Sequence, residues 1–184
     1  MSEKTISLSR LVEIVIGLCR FRGGPQDLPH SSGLLVGMLV AAVLLDYASG
    51  SLLGFDDTLL ARSLLSISLL LALCWTALSI RGLGNRYLQT MTALVSCSMA
   101  FSLLILPLAW LFGNPQGAEV ILTPAQIMVA WLGLGVLIWK IAVDAHIVRQ
   151  AIDAPFWLGL MLAISWAIAD YALSRLIFFN DAAM

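Results

Sequence analysis

Residues 34–55, LLVGMLVAAVLLDYASGSLLGF, decide how this chain folds. The run is long enough to cross a bilayer, because about 20 apolar residues in a helix span a hydrocarbon core of ~30 Å. It contains one aspartate, Asp46, well inside the apolar run. A charge in hydrocarbon is costly unless it is paired or hydrated. The stretch therefore predicts a membrane helix that holds a polar contact.

The same short phrase returns near the other end of the chain. The letters DYA at residues 46–48 recur at residues 170–172, and a Leu and a Phe follow at the same offsets in both copies. Beyond these positions the likeness fades into general apolar sequence. The repeat is compatible with an ancient duplication and equally with coincidence or convergent packing.

The composition indicates a membrane protein. Of the 184 residues, 60% are hydrophobic and 11% are charged, whereas soluble domains carry about 25% charged residues. The mean hydropathy is +0.96. With a net charge of −1 and no basic patch, the chain has no feature of a nucleic-acid-binding protein. The three cysteines and two histidines lack metal-ligand spacing, so we expect free thiols and neither metal nor cofactor.

Five apolar segments predict an all-α, polytopic membrane domain over residues 33–184. They cover residues 33–53, 59–80, 88–112, 124–143 and 155–179, and the fourth helix is expected to continue to about residue 152. Segments rich in Gly, Pro, Asn and Asp separate them. In the last and shortest separator, Asp153 is predicted to cap the final helix, with Pro155 at its first position. Pro107 is expected to kink the third span.

Residues 1–32 are predicted to form an amphipathic interfacial helix and a proline-rich linker. In residues 5–22, polar positions recur at helical spacing on one narrow stripe, namely Arg10, Glu13, Gly17 and Arg20. Such a helix suits the headgroup boundary, or it docks on the bundle through its apolar arc; both remain open. The pair Gly23-Gly24 is expected to end it with a left-handed cap. The linker PQDLP, residues 25–29, is expected to be extended.

The lysines and arginines predict the orientation. Eight of the ten fall in the flanks on the N-terminal side, namely Lys4, Arg10, Arg20, Arg22, Arg81, Arg86, Lys140 and Arg149. Only Arg62 and Arg175 fall on the other side. By the positive-inside rule the N-terminus is expected in the cytoplasm and the C-terminus outside. The membrane is expected to be a bacterial inner (plasma) membrane.

A first candidate site lies inside the membrane. Asp46 and Asp170 lie on helices that run in the same direction and at the same predicted depth, close to Arg62 and Arg175. These four residues can form an outer polar cluster in which each carboxylate pairs with an arginine and fixes packing. The alternative is a relay for protons or cations. An intramembrane aspartyl protease is disfavoured, because no glycine pair precedes an aspartate in a GxGD element.

A second candidate site lies where the fourth span leaves the membrane. Polar residues gather there and in the loop after the second span: Lys140, Asp144, His146, Arg149, Arg81 and Arg86. Two i,i+4 pairs are predicted, Lys140–Asp144 and Arg149–Asp153. Trp139 and Lys140 are expected to be interfacial anchors. The cluster is either a solvated helix end or a cytoplasmic contact surface for a protein partner or anionic headgroups.

Small residues predict close helix packing. Gly159, Ala163 and Ala167 repeat every four residues along the last span toward Asp170. Small residues also flank Asp46 one turn away on either side. Such faces let membrane helices approach closely, so the first and last spans are expected to pack through their aspartate faces.

The layout resembles the Yip family (Ypt-interacting proteins) and its small bacterial relatives. The shared features are a membrane-surface N-terminal segment and five spans with a cytoplasmic N-terminus. The likeness is best over residues 131–179, where a Trp-containing span runs into a polar helix end with His146 and Ala151. Eukaryotic members carry a DLYGP element before the first span, of which only Asp27-Leu28-Pro29 remains here. The resemblance implies a non-enzymatic protein that organises membranes or partners.

The sequence therefore predicts two functions. The first is a non-enzymatic scaffold or assembly partner in the membrane, because no Ser/His/Asp set, phosphate loop or dinucleotide fingerprint occurs. Its expected partners are the lipid bilayer and either another membrane protein or a second copy of the chain. The second is a small proton-coupled carrier that uses Asp46 and Asp170.

Overall fold

The computed structural model describes residues 8–52, 59–112 and 123–178, and the side chains of residues 50–52 and 59 are left out. Within these ranges the chain forms six α-helices and two short 3₁₀ turns. The helices are α1 Leu8–Cys19, α2 Ser32–Leu52, α3 Leu59–Ile80, α4 Tyr87–Phe112, α5 Pro124–Ala151 and α6 Phe156–Phe178. The turns are Pro25–Asp27 and Gly84–Arg86.

The predicted fold class is confirmed. Helices α2 to α6 are long and apolar enough to cross a membrane. At 1.5 Å per residue, the shortest of them, α2 with 21 residues, is about 32 Å long. Their bounds lie within a few residues of the predicted spans, and α5 continues to Ala151 as expected. Helix α4 continues through Pro107 as one element. The predicted separators at residues 54–57 and 113–122 lie outside the described residues.

The five long helices form a closed ring. Around it, α2 packs on α4, α4 on α5, α5 on α6, α6 on α3, and α3 on α2. Helices α3 and α4 also meet across the ring, and α1 packs on α4 and α5. Within the described residues, the first and last spans, α2 and α6, are not neighbours in this ring, because α3 lies between them. The expectation that they pack together through their aspartate faces is therefore wrong.

The core lies at one end of this ring, which we call the α1 end: the level at which α2, α4 and α6 begin and α3 and α5 end. Residues 90–97 of α4 are all buried, and α5 has its buried positions from Val143 onward. By contrast, none of residues 123–142 is buried. The opposite end, called the far end, is thus open to its surroundings along most of α5.

Helix α1 is docked on the bundle, as the second of the two predicted placements expects. Leu18 is completely buried and Leu11 is 8% exposed, so one face of α1 belongs to the core. Leu8, Val12 and Ile16 stay half or more exposed on another face. The helix ends at Cys19, earlier than predicted, and residues 1–7 lie outside the described residues.

Three helices end at the α1 end with the same hydrogen-bonded cap. Arg22 donates to the carbonyl of Gly17, Leu83 to that of Leu78, and Ala154 to that of Arg149. In each case the residue before the donor has a positive φ: 59° at Phe21, 68° at Gly82 and 49° at Asp153. These are Schellman motifs, which normally take glycine. The cap of α1 was predicted at Gly23-Gly24, but Phe21 forms it, followed by a second left-handed residue at Gly23 (φ 84°).

Candidate functional site

The segment after α1 is held against α4 and α5 by side chains from distant parts of the chain. We call this region the α1-end junction, and its residues are Cys19, Phe21, Gly23, Gln26, Leu28, Arg86, Gln89, Trp139, His146, Gln150 and Asp153. Within it, the indole Nε1 of Trp139 donates to the carbonyl of Cys19 at 2.9 Å. The Trp139 ring stands edge-on to Phe101 of α4 at a centroid distance of 5.1 Å. Trp139, predicted as an interfacial anchor, therefore holds the end of α1.

His146 and Gln150 bind the left-handed turn at Gly23. The Gln150 amide donates to the Gly23 carbonyl at 3.0 Å and lies 3.0 Å from Nε2 of His146. That Nε2 is 3.2 Å from the same carbonyl. With a hydrogen on Nε2, His146 and Gln150 both donate to the Gly23 carbonyl, which has two lone pairs; in the other tautomer Nε2 accepts from Gln150 instead. The Phe21 ring stands edge-on to the His146 ring at a centroid distance of 5.6 Å. This contact holds the Phe21 side chain, although the backbone of Phe21 is in the left-handed conformation that is unfavourable for residues other than glycine.

Gln89 fixes the linker. Its amide nitrogen lies 2.8 Å from the carbonyl of Leu28 and 3.4 Å from that of Gln26. The linker is not extended as predicted, because Pro25–Asp27 forms a 3₁₀ turn. Asp27 accepts a 2.8 Å hydrogen bond from the backbone of Gly24, which closes this turn.

Arg86 pairs with Asp153. Its Nη1 is 2.8 Å from Oδ2 of Asp153, and the same nitrogen lies 3.4 Å from the carbonyls of Gln150 and Ala151. The predicted pair Arg149–Asp153 is thus wrong, since the acid turns to a residue 67 positions earlier. Arg149 instead lies over the ring of Phe156 at 6.0 Å.

The other predicted pair is confirmed. Lys140 Nζ and Asp144 Oδ2 are 2.7 Å apart, with the carboxylate side chain only 15% exposed. The second oxygen of Asp144 is buried without a hydrogen-bond partner among the described residues. His146, at 5% exposure, and Asp144 therefore face inward, while Arg20, Arg22 and Arg81 are exposed at this end.

A polar cavity of about 530 Å³ lies inside the α1-end junction. Its walls come from the turn after α1, the start of α4 and the end of α5, with Gln26, Arg86, Gln89, Gln150 and Asp153 among them. The cavity is not encoded by any single stretch of sequence, because its walls come from three separate segments. The sequence indicates it only through the Gln and Arg residues that gather at the ends of the predicted spans.

The intramembrane residues lie on three helices toward the far end. Asp46 on α2 hydrogen-bonds to Ser63 of α3, the residue after Arg62. On α6, Oδ1 of Asp170 is buried and has no hydrogen-bond partner among the described residues. Arg175 lies over the Tyr171 ring at 5.7 Å. The two ion pairs Arg86–Asp153 and Lys140–Asp144 of the described ranges involve neither Asp46 nor Asp170.

The small-residue face of α6 packs on α5, not on α2. Gly159 and Ala163 are buried, whereas Ala167 is exposed. The carbonyl of Ala145 lies directly against Gly159, and a Cβ there would come within 2.9 Å of the Cβ of Arg149. The prediction of close approach is confirmed, but the partner helix is different.

Two cysteines meet between α1 and α4. All three cysteines are free thiols, and the Cys97 thiol donates a hydrogen bond to Cys19. This hydrogen bond lowers the pKa of Cys19 below its ordinary value, against an opposing effect of burial. Among the described residues, no group of three or more His, Cys, Asp or Glu could hold a metal ion.

The fold and this junction define an integral, multi-pass membrane protein with a docked N-terminal helix. No family model, curated protein or solved structure matches the chain.

Proposed function

We propose that this protein is a non-enzymatic scaffold in the membrane, which presents the α1 end as a preformed surface to another membrane protein or to a second copy. The observation that carries the proposal is the fixation of the N-terminal segment. Trp139, His146, Gln150 and Gln89 hold its backbone from positions 61 to 127 residues away. A segment held in this way loses little entropy when a partner binds.

The charges around this segment support the same role. Arg20, Arg22 and Arg81 are exposed beside it, and exposed arginines suit an acidic partner. Two titratable side chains of this end are engaged: His146 lies against the Gly23 carbonyl, and Lys140 pairs with Asp144. The layout-level resemblance to the Yip family implies the same kind of role.

Crosslinking in the intact membrane, followed by purification in detergent, tests the proposal. We expect a defined partner or a homo-oligomer, and we expect the double change Arg20→Glu and Arg22→Glu to lower its yield. Arg62→Glu, an exposed position on α3 away from the α1 end, is the matched control and should leave the yield unchanged. A monomer without partners in both membrane and detergent would contradict the proposal.

We also propose that the α1 end faces the cytoplasm of a bacterial cell and that the C-terminus lies outside. The concentration of basic residues at the α1 end supports this orientation. A reporter that is active only outside the cytoplasm, fused after Met184, should be active. Its inactivity, together with activity of the same reporter at the N-terminus, would reverse the orientation.

A second candidate function is a proton-coupled carrier. It is favoured by Asp170, whose buried Oδ1 has no hydrogen-bond partner within the described part of the chain, and by the half-buried Asp46 on α2. A carboxylate without partners in a membrane is a recurrent element of proton paths. In reconstituted vesicles, proton flux should be lost when Asp46→Asn and Asp170→Asn are combined and retained in Glu13→Gln. Flux that survives the double change would remove these residues from any transport mechanism.

A further inference from the structure

We propose that the polar cavity at the α1 end binds the headgroup of an aminophospholipid, with its phosphate on Arg86 and its ammonium on Asp153. The site goes beyond the scaffold role and does not depend on it. At about 530 Å³ the cavity falls in the size range of ligand sites, roughly 300–1,000 Å³. It lies where membrane-long helices begin and end, which is the depth of lipid headgroups.

The donors of Arg86 point to a phosphate. All of its hydrogen bonds within the described residues come from Nη1, which contacts Asp153 and the carbonyls of Gln150 and Ala151. The Nε and Nη2 donors are left for a ligand, and the side chain is 40% exposed. Two donors in a fixed fork match the geometry of two phosphate oxygens.

Asp153 supplies the opposite charge. One carboxylate oxygen, Oδ2, is used by Arg86, while the side chain as a whole remains 65% exposed. A primary ammonium has three donors and can bind the other oxygen, whereas a quaternary ammonium has none. The cavity thus holds one positive and one negative side chain, which complements a zwitterion better than a headgroup of net negative charge.

An apolar groove lies beside this cavity. It has a volume of about 160 Å³ and is formed by α3, α6 and the end of α5, with Leu73, Ala77, Leu162 and Trp166 in its walls. Thr90 contributes to the walls of both spaces. A lipid with its headgroup on Arg86 therefore has a carbon-lined groove next to it for one acyl chain. This adjacency distinguishes a phospholipid from a free phosphoamine.

The test is native mass spectrometry of the full-length protein in detergent. The probes are dioleoyl-phosphatidylethanolamine, -phosphatidylcholine and -phosphatidylglycerol, added at equal mole fraction. We expect phosphatidylethanolamine to be retained about tenfold better than the other two, the factor expected for one charge-assisted hydrogen bond. Equal retention of the three lipids, or preference for phosphatidylglycerol, would overturn the assignment.

Substitutions locate the site. Arg86→Gln should lower the retention of all three lipids, because all three carry the phosphate, and Arg81→Gln, an exposed arginine at the same end, should leave retention unchanged. Because Arg86 also holds the end of α5, Asp153→Asn provides a second variant, which should bring phosphatidylethanolamine down to the level of phosphatidylcholine. A folded Asp153→Asn protein with unchanged preference would exclude the ammonium site.

The groove has its own matched pair. Ser165→Trp fills the groove from an exposed position, and Ile168→Trp, on the same helix outside the groove, is the control. We expect lower lipid retention only for Ser165→Trp. If soluble phosphoethanolamine displaces the lipid fully and Ser165→Trp changes nothing, the ligand is the free headgroup compound and the lipid assignment is wrong.

Discussion

Trp139 Nε1 donates a hydrogen bond to the carbonyl oxygen of Cys19, across 120 residues of sequence. The acceptor belongs to the last turn of α1, whose carbonyls have no partner within their own helix. One tryptophan thereby satisfies the end of α1 and, through its ring contact with Phe101, joins α1, α4 and α5. This contact is therefore one of those that place α1 on the bundle.

Trp139→Phe should loosen α1 without disturbing the long helices. The ring contact with Phe101 is kept, but the Cys19 carbonyl loses its donor, at a cost of about 1 kcal/mol. We expect a lower free energy of unfolding in detergent and faster modification of Cys19 by a maleimide. Trp131→Phe, at a position that is 68% exposed on the same helix, should change neither measurement. Equal effects of both changes would refute the role of the hydrogen bond.

Gly159→Ala should destabilise the contact between α5 and α6. An added Cβ would meet the backbone of Ala145 and the Cβ of Arg149, and overpacking of this kind costs about 1–3 kcal/mol. The thermal midpoint in detergent should fall. Gly133→Ala is the matched control, since a Cβ there meets nothing within 4 Å. It should leave stability unchanged or raise it by up to about 1 kcal/mol through helix propensity.

Gln89→Ala should release the linker. Its amide donates a hydrogen bond to the carbonyl of Leu28. Loss of about 1.4 kcal/mol of stabilisation raises the population of chains with a detached linker about tenfold. Trypsin cleavage after the exposed Arg22 should accelerate by a similar factor. Gln126→Ala, at the far end, is the glutamine control and should leave cleavage at Arg22 as in the parent chain. An unchanged rate in Gln89→Ala would show that the linker is held by other contacts.

The reactivity of Cys19 should depend on Cys97. The Cys97 hydrogen bond lowers the pKa of Cys19, so the reactive thiolate forms at lower pH than in an ordinary cysteine. Cys97→Ala removes the donor, which raises that pKa and moves the midpoint of maleimide reaction rate against pH upward. Cys74→Ala should leave the midpoint in place, and Cys19→Ser should remove the reaction. A downward shift in Cys97→Ala would contradict the assigned contact.

The sequence was sufficient to predict the long helices and the position of each along the chain. Each is encoded locally by an apolar run whose length matches the bilayer, and the separators contain residues that end helices. The end of α5 at Ala151 was also predictable, because polar residues replace apolar ones over its last two turns. The start of α5 is likewise encoded locally, by the capping box of Thr123 and Gln126.

The pairings between helices were not predictable. Asp153 lies four residues after Arg149, which favours a local ion pair, yet the left-handed turn at Asp153 directs its carboxylate to Arg86. Asp46 and Asp170 share a predicted depth, but depth does not fix the order of helices around a ring. That order depends on close contacts between helices, such as Gly159 on Ala145, which the apolar pattern of a single helix does not encode.

The hydrogen bond from Gln150 to Gly23 has a consequence for biosynthesis, because it joins residues 127 positions apart. At about 5–20 residues per second, roughly 6–25 s separate the synthesis of the two residues. Throughout that interval α5 is not available to cover the apolar face of α1, which packs on both α4 and α5 in the folded protein. The docking of α1 is therefore completed only after α5 has been made. A chain arrested earlier is distinguishable by an N-terminal helix that α5 does not cover.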